Sequence, residues 1–156
     1  MIQIKELTKS KINDIVKIYS QYDKKDAKII EDVYIKFYSK PKSKRNKNIK
    51  DYILIKEKEI IGFSGFNKED TETMDIYWLN WTAIKKGNEK KGFGTLLLKH
   101  MLKELKIRKC RKLYVSTSSK NKTSRNFYKE IGFKEEAILK DYYKKNEDSI
   151  IFSINL

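Results

Sequence analysis

Two strand–helix–strand steps in the second half of the sequence restrict its fold more than any other feature. The run ETMDIYWLNWTAI, rich in aromatic and β-branched residues, reads as one long strand. A helix is expected over about 94–107, with Leu97, Leu98, Met101, Leu102 and Leu105 as its buried stripe. The strand RKLYVST follows, then a helix in NKTSRNFYKEIGF that ends near Gly132, a residue suited to a left-handed C-cap. A strand that rejoins its sheet after a helix must pair in parallel, through a right-handed crossover.

Upstream, the alternation in IQIKE predicts a first strand. Thr8 can cap a helix that carries Ile12, Ile15, Val16 and Tyr19, and a second helix is expected over about 26–38 with Ile29, Ile30, Val33, Ile35 and Phe37. SKPKSKRNKN, with Pro41, reads as a solvated basic loop. DYILIK and EIIGFSGF, joined tightly at 57–58, give an antiparallel pair, and final strands over about 134–139 and 148–155 flank the turn DYYKKNE. The expected architecture is α/β (α+β): a mixed central sheet of about seven strands flanked by four helices. At 156 residues it is expected to be one domain spanning 1–156.

Composition narrows the function classes. One cysteine, Cys110, excludes an internal disulfide, and with one histidine, His100, no typical zinc site can be built; no metal is expected. No apolar run approaches the roughly 20 residues that span a bilayer, and the N-terminus lacks a signal peptide's apolar stretch, so a cytoplasmic setting without membrane contact is expected. The formal net charge of +15 suggests a polyanion partner. However, it comes from 32 Lys against 4 Arg, and 21 Ile stand against 11 Leu, a bias that follows AT-rich codons. Arginine, the residue of bidentate base and phosphate contacts, is scarce, so nucleic acid is not expected as the main partner. The charge should instead steer small anions inward.

GNEKKGFGTLLL lies between a strand and a helix, where backbone amides are available to an anion and glycines let a phosphate come close. Gly87 and Gly92 have the spacing of a P-loop, but Phe93 and Gly94 stand where Lys and Ser or Thr are required. The dinucleotide fingerprint needs a third glycine where Leu97 stands. A plain strand-to-helix turn is the remaining alternative to a third kind of phosphate loop. Downstream stand Asn121, Ser124 and Tyr128, then Ile131-Gly132-Phe133, on the helix after RKLYVST.

Gly92-Phe93-Gly94 opening a helix, together with this second motif in the same order of elements, resembles the GNAT acetyltransferase superfamily over nearly the whole chain. That family's loop begins with Gln or Arg; here the position is Glu89, a departure that places a negative charge beside the proposed pyrophosphate site. The resemblance implies a GNAT fold, acetyl-coenzyme A as co-substrate, and transfer of its acetyl group to a primary amine of a small molecule or peptide, in a monomer or homodimer. It implies a pantetheine arm bonded along the backbone of Trp81, Ala83 and Ile84, and a pyrophosphate cradled by Lys90, Lys91, Gly92, Phe93, Gly94 and Thr95. It adds Asn121 and Ser124 to the cofactor site and makes Tyr128 the general acid for the departing thiolate. A phenol suits that role, because its reference pKa of about 10 keeps it protonated at neutral pH.

Read without the family, Tyr128 fits a core tyrosine and Asn121 a helix N-cap. His100, beside Lys103 and Glu104, reads as a surface histidine, and Cys110 as a packed thiol. No carboxylate stands near Trp78, where relatives place a base; Asp75, a water chain or loss of the proton to solvent are the alternatives. The acceptor pocket is expected among Tyr22, Tyr34, Phe37, Tyr38, Tyr142 and Tyr143, with the last pair, placed in a turn, foremost. The net charge favours neutral or acidic acceptors over polycations, although Glu69, Asp70, Glu72 and Asp75 cluster around one hairpin. The competing reading is a non-catalytic module of the same fold that binds acyl-coenzyme A or nucleic acid.

Overall fold

A computed structural model describes residues 1–68 and 75–156. The described residues carry eight strands and four α-helices in the mixed α/β arrangement predicted. They fall into two compact units, one built from 1–68 with 80–101 and the other from 75–79 with 102–156.

In the first unit, β1 (Ile2–Glu6), β2 (Lys50–Lys56) and β3 (Glu59–Asn67) pair antiparallel, and the two-residue β5 (Ala83–Ile84) joins β3 with Gly62 opposite Ile84. Glu57 and Lys58 both adopt positive φ (49° and 73°), the geometry a tight hairpin turn requires. Two helices supply the core on one side. α1 (Ile12–Tyr19) buries Ile12, Ile15 and Ile18, one stripe at helical spacing. A short 3-10 turn at Lys9–Lys11 precedes it. Thr8 makes no cap bond with its side chain; its hydroxyl meets Ser10 instead, so the expected Thr8 cap is not formed.

α2 (Lys24–Tyr38) starts two residues earlier than predicted, because Asp23 accepts the Asp26 amide at 2.8 Å. It buries Ala27, Ile30, Tyr34 and Tyr38, whereas Ile29, Val33 and Ile35 face outward. Ile30, Tyr34 and Tyr38 pack with the buried stripe of α1 and with Leu7, Ile53, Phe63 and Ala83 into one cluster. α3 (Phe93–Ile107) begins just after the glycine loop and buries Leu97, Leu98, Met101 and Leu105; Leu102 is only half-buried.

In the second unit, β4 (Ile76–Leu79) pairs in parallel with β6 (Lys112–Ser118), as the first strand–helix–strand step requires. The second step departs from expectation. β8 (Glu147–Asn155) pairs antiparallel with both β6 and β7 (Lys134–Lys144), so it lies between the two parallel strands that α4 (Lys122–Ile131) connects. The predicted long strand is also divided. Its described part forms β4 and β5, separated at Asn80, where the chain turns to bond Gly65 through a backbone amide. Residues 72–74 of that prediction lie outside the described residues. Gly132, at φ 109°, forms the left-handed C-cap of α4.

Candidate functional site

The first unit carries the glycine loop. Between β5 and α3, Gly87 (φ 87°), Lys90 (φ 56°) and Gly92 (φ 80°) all take left-handed conformations. A Cβ added at Gly92 would meet nothing within 4 Å, so the backbone there borders open space and the amides that open α3 are approachable. Trp81, Ala83, Ile84, Lys90, Lys91, Gly92, Phe93, Gly94 and Thr95 thus lie in order along the chain from just before β5 through the loop into the first turn of α3.

The loop is tied down by its own departure from the family pattern. The Glu89 carboxylate turns back and accepts the Gly87 amide at 2.5 Å and the Tyr22 phenol at 3.1 Å. The single Tyr22 proton is shared with the Ile84 carbonyl, 2.5 Å away. Gln21 accepts the Lys86 amide at 2.9 Å, and the Lys91 ammonium donates to the Gly87 carbonyl at 2.6 Å. The α1–α2 corner therefore clasps the loop from one side. Hydrogen bonds from its own amide and that of Gly87, with the Tyr22 phenol and the Lys86 charge, hold the Glu89 carboxyl below the usual range. Partial burial, then the Glu89 bond and charge, push the Tyr22 phenol up to about 12. Sequence reasoning did not find this clasp; its signal was the acidic residue standing in the loop's first position.

A second feature was also missed. Asp51, on β2, is only 1% exposed and is the one buried carboxylate among the described residues. Tyr34 donates to its Oδ1 at 2.8 Å, Tyr38 to its Oδ2 at 3.2 Å, and the Asn80 side-chain amide to Oδ1 at 3.0 Å. Burial pushes the carboxyl up to about 6, against the pull of these three donors. Gly65 makes the reach possible: a Cβ there would lie 2.2 Å from Asp51 Oδ1 and 2.5 Å from the Lys50 carbonyl. The carboxylate thus crosses β3 to the chain between β4 and β5. There the Asn80 amide donates to the Gly65 carbonyl at 2.8 Å, Asn67 donates to the Asn80 side-chain oxygen, and Thr82 meets the buried Ser64 hydroxyl at 2.7 Å. The sequence signal was an acid sharing the inward register of Ile53 and Ile55 in an otherwise apolar strand.

Two further expectations change in these surroundings. Tyr34 and Tyr38 are core residues bonded to Asp51, and Phe37 packs edge-on to Tyr38 at 5.1 Å. His100 is not a surface histidine; its ring sits edge-on against Tyr52 at 4.7 Å, with Nε2 buried, because its position on α3 faces β2. A shallow cleft of about 330 Å³ between α1 and the β2–β3 hairpin includes Gln21 but not the glycine loop.

In the second unit, the Asn121 side chain caps α4 by accepting the Ser124 amide at 3.0 Å. Tyr128 is buried among Phe127, Phe133 and Phe152, with ring centroids 5.4, 5.5 and 6.1 Å away. Asp75, the carboxylate weighed as a base, is paired with Arg111 at 2.8 Å. Cys110 is buried with its thiol 3.3 Å from the Lys112 carbonyl, and burial pushes that thiol up, as befits a packed rather than nucleophilic sulfur. Tyr142 and Tyr143 lie not in a turn but on β7, whose strand extends to Lys144; they pack edge to face at 5.1 Å and are exposed. The turn is confined to Lys145 and Asn146, where Asn146 takes φ 61°. Glu69, Asp70 and Glu72 of the acidic cluster lie outside the described residues. Among the described residues no group of His, Cys, Asp or Glu is arranged to hold a metal ion.

Known proteins resemble this chain in both sequence and fold. An N-alpha-acetyltransferase of Sulfurisphaera tokodaii is 30% identical over 86 residues, 48% of this chain and 52% of that protein. A [ribosomal protein bS18]-alanine N-acetyltransferase of Salmonella typhimurium is 29% identical over 75 residues, 46% of this chain and 51% of that protein. The chain spans about half the length of these curated relatives. The crystal structure of a GNAT-family protein from Desulfovibrio desulfuricans superposes with a TM-score of 0.89 at 17% identity, covering 99% of each chain, a likeness of fold alone. The pattern of the acetyltransferase (GNAT) family matches residues 12–133, from α1 through the glycine loop to Gly132-Phe133 at the end of α4, and the chain belongs to that family.

Proposed function

We propose that the chain is a single catalytic domain that transfers an acetyl group from acetyl-coenzyme A to a primary amine by direct attack. The observation that carries this reading is the loop from Gly87 to Thr95. In a chain of this family it combines three left-handed backbone positions with open space at Gly92, just before the amides of α3. Those amides and the lysines Lys90 and Lys91 suit a pyrophosphate, and the backbone of Trp81, Ala83 and Ile84 suits the pantetheine arm. Turning the Glu89 carboxylate back onto Gly87 and Tyr22 lessens, without removing, the objection its charge raises.

A thioester is reactive enough that the chain need only align the amine, polarise the carbonyl and protonate the leaving sulfur. Tyr128 is proposed as the proton donor, on the family motif that Asn121, Ser124 and Tyr128 match. Its ring packs against Phe127, Phe133 and Phe152, and the reference pKa of a phenol, about 10, leaves the proton available to a leaving thiolate at neutral pH. The acceptor is proposed to be a small-molecule or peptide amine. The names of the two relatives support a protein N-terminus, whose α-amine, with pKa about 8, loses its proton more easily than a lysine side chain.

The test is thiol release from acetyl-coenzyme A with a panel of amines, alongside the melting temperature with the cofactor. The cofactor should raise the melting point, and peptides with free N-termini should be acetylated faster than spermidine. Tyr128→Phe should lower kcat by about 10²–10⁴-fold with little change in cofactor affinity. No melting shift at millimolar cofactor would reject the reading. A shift without thiol release from any amine would leave the non-catalytic acyl-coenzyme A binder instead.

A further inference from the structure

We propose that Asp51 is the proton acceptor for the attacking amine, reached through the phenol of Tyr38, with Tyr34 and Asn80 holding its carboxylate in place. The inference rests on the acetyl-transfer reading and supplies the base which that reading lacks, since Asp75 is engaged by Arg111.

Four observations point to this role. Asp51 is buried without a cationic partner, although neutral Asn or Ser could tie α2 to the sheet without desolvating a charge. Its two oxygens are used unequally: Oδ1 takes bonds from Tyr34 and Asn80, whereas Oδ2 takes only the longer 3.2 Å bond from Tyr38 and keeps a free lone pair. Of the two tyrosines, Tyr38 is the more exposed residue, at 8% against 3% for Tyr34. Finally, the Asn80 contact sets the carboxylate beside the stretch that leads into Trp81, Ala83 and Ile84, along which the reading places the pantetheine arm.

The charged and titratable groups around this network are few. Tyr34 and Tyr38 face it from α2; burial and then the Asp51 charge push the Tyr38 phenol well up, and the Arg45 guanidinium, 5.1 Å from the Tyr38 ring centroid, offsets this only in part. Glu6, on β1, opposes it but is itself paired with Lys50. Trp81 packs edge-on to Tyr34 at 6.1 Å and adds no charge.

The proposed step balances. The neutral amine nitrogen bonds to the acyl carbon and the carbon–sulfur bond breaks. The nitrogen's proton passes to the Tyr38 oxygen as the phenol's own proton passes to Asp51 Oδ2, so no free tyrosinate forms. The thiolate takes a proton from Tyr128, and exchange through solvent returns the Asp51 proton to Tyr128.

The test is the pH profile of kcat at saturating amine and acetyl-coenzyme A, with cofactor-induced melting shifts as a separate binding readout. Wild type should lose rate on an acid limb near pH 6. Asp51→Asn should lower kcat by about 10²-fold or more and abolish the limb, with the melting shift retained. Tyr38→Phe, which keeps the ring, should lose rate to the same extent and carries the test if Asp51→Asn fails to fold. Tyr34→Phe removes a donor that favours the carboxylate and should move the limb to higher pH, an effect that a purely structural role does not predict. The proposal is overturned if wild type turns over while Asp51→Asn or Tyr38→Phe keeps both its kcat within about threefold and the acid limb. Absence of both thiol release and melting shift in wild type would sink the acetyl-transfer reading first, and this inference with it.

Discussion

Glu89 and Asp51 are both carboxylates of the first unit, and each accepts a hydrogen bond from a tyrosine phenol, Tyr22 from the α1–α2 corner and Tyr34 from α2. They titrate in opposite directions. Glu89 is exposed, and backbone amides and lysine charge hold it below the usual range. Asp51 accepts three good bonds as well, yet burial outweighs them and lifts it to about 6. The difference teaches that donors alone do not decide the protonation of a carboxylate; the solvent they replace does. It also separates two tasks. Glu89 stays ionised across the physiological range and shapes a loop, whereas Asp51 is poised to exchange a proton.

The sharpest way to break this contrast is to deny Asp51 its place. Gly65→Ala would drive a Cβ into the Asp51 carboxylate and into the Lys50 carbonyl, which cannot swing away as a side-chain tip can. A loss of at least about 3 kcal/mol is expected by urea unfolding. A cost under 1 kcal/mol would mean that β2 and β3 yield there.

Next in size is the pH dependence of stability. Because the folded pKa of Asp51 lies above its unfolded value, the native state holds the extra proton between about pH 4 and 6. Stability should therefore fall as pH rises through that window, and Asp51 should contribute about 2–3 kcal/mol to the fall. Asp51→Asn should remove that component of the slope. An unchanged slope between wild type and variant would place the ionisation elsewhere.

Smaller in stability, though decisive for the loop, is Gly92→Val. A β-branched residue at φ 80° should cost about 1–2 kcal/mol and abolish the melting shift caused by acetyl-coenzyme A. The smallest effect is expected for Glu89→Gln, which removes the charge and keeps one of the two acceptor oxygens, so one of the bonds from Tyr22 and Gly87 is retained. Cofactor affinity should tighten a few-fold, measured by calorimetry, with the melting point nearly unmoved. Weaker binding would show that the clasp needs the charge itself.

Much of the architecture was legible because periodicity and turn chemistry are local. The stripe on α3, the hairpin at Glu57 and Lys58 and the cap at Gly132 all depend on neighbours in sequence. The insertion of β8 between β6 and β7 was not legible, since strand order is settled by pairings far apart in the chain. The division of the long strand at Asn80 was hidden for the same reason: its cause is a set of bonds to Gly65, Asp51 and Asn67. Of the site, the glycine loop and the α4 motif could be found as patterns. The partners of Glu89 and Asp51 could not, because Tyr22 looks like any aromatic residue of an interhelical turn, and Tyr34 and Tyr38 like any of an amphipathic helix, until the fold brings their acceptors to them. Tyr142 and Tyr143 were misplaced because β7 continues beyond Asp141, whose φ of 51° reads locally as a turn.

The clearance at Gly65 has a consequence for how such a chain can change over time. Asp51 can reach Asn80 only while position 65 carries no side chain, and the Lys50 carbonyl, 2.5 Å from where a Cβ would lie, closes that position even when the carboxylate is gone. The dependence runs one way: a side chain at 65 overfills the strand pair and displaces the bridge, whereas loss of Asp51 removes the bridge and leaves glycine still required. Descendants that keep the carboxylate are thereby held to glycine on the neighbouring strand, whatever else drifts around them.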